Sequence, residues 1–105
     1  MLRQIRRRMA IRRIQRMEAD FDRLSQAIQE NPASLFSDHR LIAMQKRLTR
    51  YYEGGGWMAD YRRDERGELP ADLKRGVLSE DGLWNLLIDI EECQRSLASK
   101  TNRKT

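Results

Sequence analysis

The N-terminal segment carries the strongest chemical signal in this sequence, because its first sixteen residues include seven arginines and no acidic residue. These residues are Arg3, Arg6, Arg7, Arg8, Arg12, Arg13 and Arg16. Positive charge without a counter-charge attracts polyanions, chiefly nucleic acid, in a salt-dependent way. At helical spacing, however, the arginines surround most of a helix instead of forming one face. A solvated extension of the first helix is therefore the competing interpretation.

The charge of the remaining chain has the opposite sign. The 105 residues carry a formal net charge of +5, yet residues 17–99 contain 11 basic and 16 acidic residues. Lys100, Arg103 and Lys104 make the C-terminal end basic as well. Basic character is thus a property of the two ends, and the body between them is mildly acidic.

Membrane association is not expected. No uncharged apolar run approaches the roughly 18 residues that a membrane span needs. Leu2, Ile5 and Met9 share one stripe of a helix, but Arg12 and Arg16 continue the same stripe. A helix that lies on a membrane surface needs a cleaner division of faces. We therefore expect a cytoplasmic protein.

Two aspartates have the spacing of a weak metal site. Asp60 and Asp64 are four residues apart, which places both carboxylates on one face of a helix, where they could bind a divalent cation. Three arginines are their neighbours in sequence, namely Arg62, Arg63 and Arg66. Ordinary surface ion pairs are the favoured interpretation, so no metal site is predicted here.

Other residues give little support to catalysis. His39 has no serine or cysteine nucleophile at a suitable spacing and is expected to face solvent in a first helical turn. Cys93 lies on an apolar stripe, where a small buried thiol fits. The glycines at 54–56 follow a helix and lack the lysine of a phosphate-binding loop. We expect no enzyme, no cofactor and no small-molecule substrate.

The first helix is predicted from the apolar spacing of Ile14, Met17, Phe21, Leu24 and Ile28, which keeps these side chains on one stripe. It should end at Asn31-Pro32, because a proline disfavours helical geometry at the residue before it.

A second helix is predicted to start at Ser37 as the N-cap, with Asp38 in its first turn. Phe36 and Leu41 fit a hydrophobic staple around that start. The glycines at 54–56 should end this helix, because glycine accepts the left-handed conformation that closes a helix.

The second half of the chain predicts a short third helix over residues 57–66 with Gly67 as its C-cap, and one further helical turn over residues 70–75. The last helix should be capped by Ser79, with Glu80 and Asp81 in its first turn. Its buried face is marked by Leu83, Leu86, Leu87, Ile90, Cys93 and Leu97.

These elements predict an all-α protein, a small bundle of three main helices plus a short helix between the second and the last. Residues 1–13 would form a basic N-terminal extension, residues 14–98 a single helical bundle domain, and residues 99–105 a polar basic tail. Short connections favour antiparallel neighbours in such a bundle.

The middle of the chain carries a distinctive pattern. Tyr51-Tyr52, Trp57 and Asp60 are followed at residues 67–82 by Gly-Glu-Leu-Pro-Ala-Asp-Leu-Lys-Arg-Gly-Val-Leu-Ser-Glu-Asp-Gly. This pattern resembles a family of small bacterial proteins catalogued only as a domain of unknown function, from about residue 14 to residue 87. The resemblance implies a compact helical bacterial protein, and it brings no activity, cofactor or binding residue with it.

The aromatic residues are predicted to be core residues rather than a stacking platform for single-stranded nucleic acid. Trp57 and one tyrosine of the Tyr51-Tyr52 pair should be substantially buried. Trp84 falls off the apolar stripe of the last helix, so it should be half exposed and is a candidate partner contact.

The charged residues of the 67–82 segment allow two interpretations of equal weight. Asp72, Lys74, Arg75, Glu80 and Asp81 could form an internal ion-pair network that ties this segment to a helix. Alternatively, the same residues, with Trp84, could form a surface that recognises a partner.

Two functions follow as hypotheses. The favoured one is a non-enzymatic helical interaction module that binds another protein or itself, as a small bacterial, phage or mobile-element regulator or inhibitor would. The alternative is a nucleic-acid-binding protein whose arginines contact phosphates with little sequence specificity. One contiguous face of unpaired positive charge would favour nucleic acid. Arginines paired with carboxylates of the body would favour a structural or protein-contact role.

Overall fold

The computed structural model describes the backbone of residues 1–103 and the side chains of residues 1–99. The described chain contains no strand, and its five α-helices confirm the all-α class. The helices are α1 (Leu2–Glu30), α2 (Ser34–Ser37), α3 (His39–Glu53), α4 (Gly56–Glu65) and α5 (Gly82–Arg103), with a 3-10 helix at Gly76–Leu78.

Helix α1 is one continuous helix that includes the whole arginine-rich segment. Ala10 and Ile14 are both fully buried, so the core contact of α1 already begins ahead of Ile14. The helix ends at Glu30, directly before Asn31-Pro32, as predicted.

The start of α3 differs from the prediction by one residue. Ser37 is the last residue of α2, and Asp38 is the N-cap of α3, because its carboxylate accepts a hydrogen bond from the backbone N–H of Arg40 (2.9 Å). The backbone of Asp38 is extended (φ −86°, ψ 116°), which separates the two helices. The predicted cap at Ser37 was therefore wrong.

Two glycines end helices as predicted. Helix α3 ends at Glu53, and Gly55 has the left-handed conformation (φ 89°) before α4 begins at Gly56. Gly67 also has a positive φ (69°), and its N–H donates to the carbonyl of Asp64 (3.0 Å). These positions require a residue that tolerates positive φ.

Residues 67–81 form a strap without the helical turn predicted at 70–75. Arg75 hydrogen-bonds the carbonyls of Leu73 and Pro70, and Glu18 accepts the N–H groups of Gly76 and Val77. Between residues 70 and 75 the backbone forms a single turn, in which the N–H of Leu73 donates to the carbonyl of Pro70 (3.2 Å), and these side-chain hydrogen bonds hold the rest of that stretch. The helical turn of the strap lies later, at Gly76–Leu78.

The last helix begins later than predicted. Glu80 and Asp81 precede α5, which begins at Gly82, and the hydroxyl of Ser79 accepts the N–H of Gly82 (3.1 Å). The serine caps the start as expected, but the helix begins beyond the acidic pair.

Helix directions follow from long-range contacts. Helix α3 is antiparallel to α1, because Arg47 contacts Asp20 while the end of α3 reaches the level of Arg13. The strap then runs back along α1 from Arg7 to the neighbourhood of Phe21, beside Gly82.

Helix α5 continues in the direction of the strap and lies parallel to α1, since Leu86 and Asp89 line one depression with Ser25 and Gln29. The expected antiparallel arrangement therefore holds for α1 and α3 but not for α1 and α5. A fifteen-residue strap, rather than a tight turn, allows the parallel return.

The core lies along α1 and includes side chains from all five α-helices and the strap. Its fully buried large apolar residues are Ile14, Leu24, Leu35, Leu41, Leu48, Val77 and Leu83. Two carboxylates are also buried, those of Asp20 (5% exposed) and Asp60 (0%). In the described chain, none of the helices combines the length and the apolar character that membrane crossing requires.

Candidate functional site

Asp60 is a buried structural carboxylate and not half of a surface pair. It accepts two hydrogen bonds from Arg13 (2.9 and 2.6 Å), one from Arg63 (3.1 Å) and one from the hydroxyl of Tyr51 (2.6 Å). The hydrogen bond with Asp60 raises the pKa of Arg13, and burial, followed by that same carboxylate, raises the pKa of Tyr51. The expectation of ordinary surface pairing was wrong here, because Arg13 reaches Asp60 from 47 residues away.

The companion carboxylate, Asp64, is also occupied. It accepts a hydrogen bond from Arg75 of the strap. No group of three or more potential metal-binding side chains occurs within the part of the chain that the structure describes. The two aspartates therefore join α4 to other elements, Asp60 to α1 through Arg13 and Asp64 to the strap through Arg75.

Helix α3 is joined to α1 by the second buried carboxylate. Arg47 binds Asp20 through two hydrogen bonds (2.9 and 3.1 Å), and this contact raises the pKa of Arg47. Neither residue belongs to a local motif, so the sequence alone does not single them out.

The first turns of α1 contribute to an arginine-lined cavity. Arg3, Arg6 and Arg7 of α1 face Arg63 of α4 and Arg66, the C-cap residue of α4, across an open cavity of about 650 Å3. The cavity is otherwise lined by Gly67 and Glu68.

One acidic side chain reduces the positive charge of this arginine cavity. Glu68 pairs with Arg66 (2.8 Å), and that hydrogen bond holds the pKa of Glu68 below its usual range. The backbone carbonyl of Glu68 accepts from Arg7 (2.8 Å), which orients Arg7 without neutralising it. The cavity therefore keeps a surplus of positive charge.

The remaining N-terminal arginines do not join the cavity. Arg8, Arg12 and Arg16 are exposed, and at 100° per residue they project from the opposite side of α1. The seven arginines thus divide into three sets: cavity lining, solvent-facing and the buried contact of Arg13. Lys104 lies outside the described residues, as do the side chains of Lys100 and Arg103.

The charged residues of the strap do not bind one another. Arg75 contacts Asp64 and two carbonyls, whereas Asp72, Lys74, Glu80 and Asp81 are exposed and form no ion pair with any described side chain. The strap is instead tied to α1 by Glu18, which accepts the N–H of Val77 at 2.7 Å. The predicted ion-pair tie to a helix is therefore found for Arg75 and not for the other four among the described residues, and their role in partner recognition stays a prediction.

The aromatic residues form a chain of ring contacts. Trp57 (8% exposed) donates its indole N–H to the carbonyl of Val77 (2.8 Å) and stacks on Tyr61 with ring centres 5.0 Å apart. Tyr52 connects Trp57 to Trp84 at 5.4 and 6.3 Å. Trp57 and Tyr51 are buried and Trp84 is 52% exposed, which confirms the predicted division between core and surface.

An open groove lies between α3 and α5 next to Trp84. It has a volume of about 520 Å3. Its lining consists of Gln45, Thr49, Tyr52, Glu53, Trp84, Leu87, Ile88, Ile90, Glu91 and Gln94. Glu53 and Glu91 are its only charged residues within the described chain. Of this lining, the sequence singled out only Trp84, as a candidate partner contact. Ile88 lies four residues further along α5 and was not singled out.

A second exposed apolar surface lies at the start of α1. Leu2, Ile5 and Met9 are 69%, 48% and 60% exposed. We call these three residues the apolar strip. The strip lies on the side of α1 that packs against α3 in the later turns of α1. Helix α3 ends near the level of Arg13 and does not reach the strip.

Comparison with known proteins identifies the chain only at the level of a family. No match is found among the curated proteins or among the solved structures. Residues 14–98 match the family described as a domain of unknown function, DUF4298, which extends the expected resemblance through most of α5. The chain, an all-helical protein of unknown function, therefore belongs to the DUF4298 family.

Proposed function

We propose that this protein is a non-enzymatic interaction module that binds a basic amphipathic helix in the groove between α3 and α5. The observation that carries the proposal is the groove itself, an apolar floor beside a half-exposed tryptophan, where Glu53 and Glu91 are the only charged lining residues among those that the structure describes. A regulator or inhibitor in a bacterial cytoplasm is the setting that fits such a module.

The shape of the groove supports a helix as the ligand. Two helices form its walls, and a third helix laid between them can insert side chains at i, i+3 and i+7. Along α5 the lining runs from Trp84 to Gln94, about 15 Å at the helical rise per residue. Exposed tryptophan in a recess is the kind of residue that contributes most to a protein interface.

The charge of the groove supports a basic ligand. Glu53 and Glu91 are exposed at the groove, so a helix with flanking arginine or lysine would gain favourable contacts and an acidic helix would be repelled. Support for a non-enzymatic role comes from the buried carboxylates, Asp20 and Asp60, whose oxygens are committed to arginine and tyrosine donors.

The test is a titration of the full chain with two designed helical peptides. Both carry leucine or isoleucine at i, i+3 and i+7, one flanked by arginines and the other by glutamates at the same positions. Since Trp57 is buried, a change in tryptophan fluorescence would report on Trp84. We expect saturable binding of the arginine peptide only.

Ile88→Glu should weaken that binding by about tenfold or more, an effect of about 1.4 kcal/mol. Asn85→Glu adds the same charge on an exposed face of α5 outside the groove and is the matched control. Circular dichroism checks that both variants fold, and Trp84→Ala replaces Ile88→Glu if the latter unfolds. Absence of arginine-peptide binding, or equal weakening by the control, would refute the proposal.

The arginine cavity supports a second candidate function, contact with the phosphates of nucleic acid. Five guanidinium groups from two helices converge there, with Glu68 as the only acidic lining residue in the described chain. Such contacts position a nucleic acid without reading its bases, so the binding should be weak, non-specific and strongly salt-dependent.

Removal of residues 2–13 would not test this candidate cleanly, because it would also remove Ala10 from the core and Arg13 from Asp60. A better comparison uses two double variants that remove the same charge. One replaces Arg3 and Arg6 of the cavity by glutamine, and the other replaces Arg8 and Arg12, which lie outside it. The anisotropy of a labelled oligonucleotide at low salt should fall more for the variant that lacks Arg3 and Arg6. Equal effects of the two pairs would show that the cavity is not the site.

A further inference from the structure

We infer that the helix which occupies the groove is the first part of α1 from a second copy of this chain, so that molecules associate head to tail. This inference rests on the proposed function of the groove and names its partner. The two surfaces involved are the apolar strip (Leu2, Ile5 and Met9) and the groove lined by Trp84, Leu87 and Ile88.

The apolar strip has the pattern that the groove requires. Its three residues follow the spacing i, i+3 and i+7, and each leaves about half or more of its side chain exposed in the described chain. Arg6 lies on one side of the strip and Arg12 on the other, at 100° per residue. The segment is therefore a basic amphipathic helix presented by the chain itself.

The two surfaces match in length and in charge. From Leu2 to Met9 the helix rises about 10 Å, which fits within the groove of about 15 Å. The arginines beside the strip would meet Glu53 and Glu91 at the groove, which gives opposite charge on the two partners. The exposed apolar strip and the exposed Trp84, together with the partly buried Leu87 and Ile88, would lose contact with water on docking, which favours association.

A molecule cannot fill its own groove with this segment. Arg13 binds Asp60 of α4 and Arg7 binds the carbonyl of Glu68 in the strap, so the first half of α1 is held against α4 and the strap. Helix α1 is unbroken from Leu2 to Glu30, which leaves no hinge at which the strip could turn towards α5. The contact must therefore join two copies, and because the two surfaces differ it is heterologous and can continue into a ring or an open chain.

The experiment is a mixing test on full-length variants by sedimentation velocity. Ile5→Glu blocks the strip and leaves the groove intact, whereas Ile88→Glu blocks the groove and leaves the strip intact. The parent chain should associate with rising concentration, and each variant alone should remain a monomer. An equimolar mixture of the two should form a one-to-one dimer that grows no further, because only one productive contact remains.

Gln4→Glu and Asn85→Glu are matched controls, since both residues are exposed and neither belongs to the strip or to the groove. These variants should associate like the parent. A parent chain that stays monomeric at millimolar concentration, where even contacts of about 4 kcal/mol would appear, would overturn the inference. Association without a mixed dimer would overturn it too, because a symmetric contact would then be responsible.

The sedimentation experiment and the peptide titration test the two proposals separately. If the arginine peptide binds the groove while the chain remains monomeric, self-docking is wrong and the proposed function stands. If neither occurs, both are wrong. If Ile5→Glu associates as strongly as the parent, the strip is not the docking element, whatever the peptide does.

Discussion

The junction of α1, α4 and the strap and the groove between α3 and α5 are built in opposite ways. At the junction, Asp60, Glu18 and Trp57 make directional hydrogen bonds to groups far away in sequence. Across the groove, no hydrogen bond or ion pair joins the lining residues of α3 to those of α5 in the described chain. The most distinctive part of the sequence thus stabilises the fold, while the less conspicuous side leaves apolar surface open to solvent.

The strongest test of this contrast is Asp60→Ala. The change leaves Tyr51 and two arginines without their shared acceptor in a site with no solvent access for the carboxylate. Removal of one partner from a buried ion pair costs roughly 3 kcal/mol or more. Urea denaturation followed by circular dichroism should show that loss in the free energy of unfolding.

Asp22→Ala is the control for this experiment, because Asp22 is an exposed residue of α1. Its effect should stay within about 0.5 kcal/mol. The neighbouring arginines give the reciprocal comparison: Arg13→Ala should destabilise and Arg12→Ala should not. Equal effects of the two arginine variants would contradict the structural role of Asp60.

The strap should detach from α1 when Glu18 is replaced by alanine. Its carboxylate accepts the N–H groups of Gly76 (3.1 Å) and Val77 (2.7 Å), and Val77 is fully buried. A buried N–H left without an acceptor costs about 1–3 kcal/mol. Amide hydrogen exchange at Val77 should accelerate with the loss of stability, whereas Gln15→Ala on the same helix should leave that amide protected.

Alkaline pH should weaken the junction through Tyr51. Burial and Asp60 raise the pKa of Tyr51 above its ordinary value of 10, so the folded chain keeps a proton that the unfolded chain releases. The contribution of Tyr51 to stability should therefore be constant below about pH 10 and should fall above it, by at most about 1.4 kcal/mol per pH unit. In Tyr51→Phe this fall should be reduced, as measured by urea denaturation at several pH values. An unchanged slope would contradict the assignment.

Trp84→Ala should have the smallest effect on stability. Half of this side chain is exposed and its nearest described ring, that of Tyr52, is 6.3 Å away. We expect a loss of about 0.5 kcal/mol or less, together with loss of peptide binding at the groove. Destabilisation as large as that caused by Asp60→Ala would mean that the groove, too, is part of the structural framework.

Local patterns in the sequence were sufficient to predict the four longer helices, but not the short α2 or the 3-10 helix of the strap. Apolar spacing predicted α1 from Ile14 onward and the buried face of α5, and glycine chemistry predicted the ends of α3 and α4 at Gly55 and Gly67. His39 is exposed at the start of α3 and Cys93 is only partly buried. These features depend on neighbours within one or two helical turns, which a single sequence contains.

The contacts between elements could not be predicted in this way. Arg13 and Asp60, Arg47 and Asp20, and Glu18 and Val77 are 47, 27 and 59 residues apart, and periodicity does not say which faces meet. The parallel return of α5 was missed for the same reason, because it depends on the path of the strap. The groove also arises between two helices, so neither helix alone indicates it.

The crowding of like charges at the start of α1 has a consequence for how the protein responds to ionic strength. Arg3 is separated by three and four residues from Arg6 and Arg7, and no acidic residue occupies the first turn, where the helix dipole would favour one. Dissolved salt should screen this repulsion and protect the first turns from fraying, by a few tenths of a kcal/mol. The tip of α1 should thus become more ordered under the same conditions that loosen an exposed pair such as Arg95–Glu91.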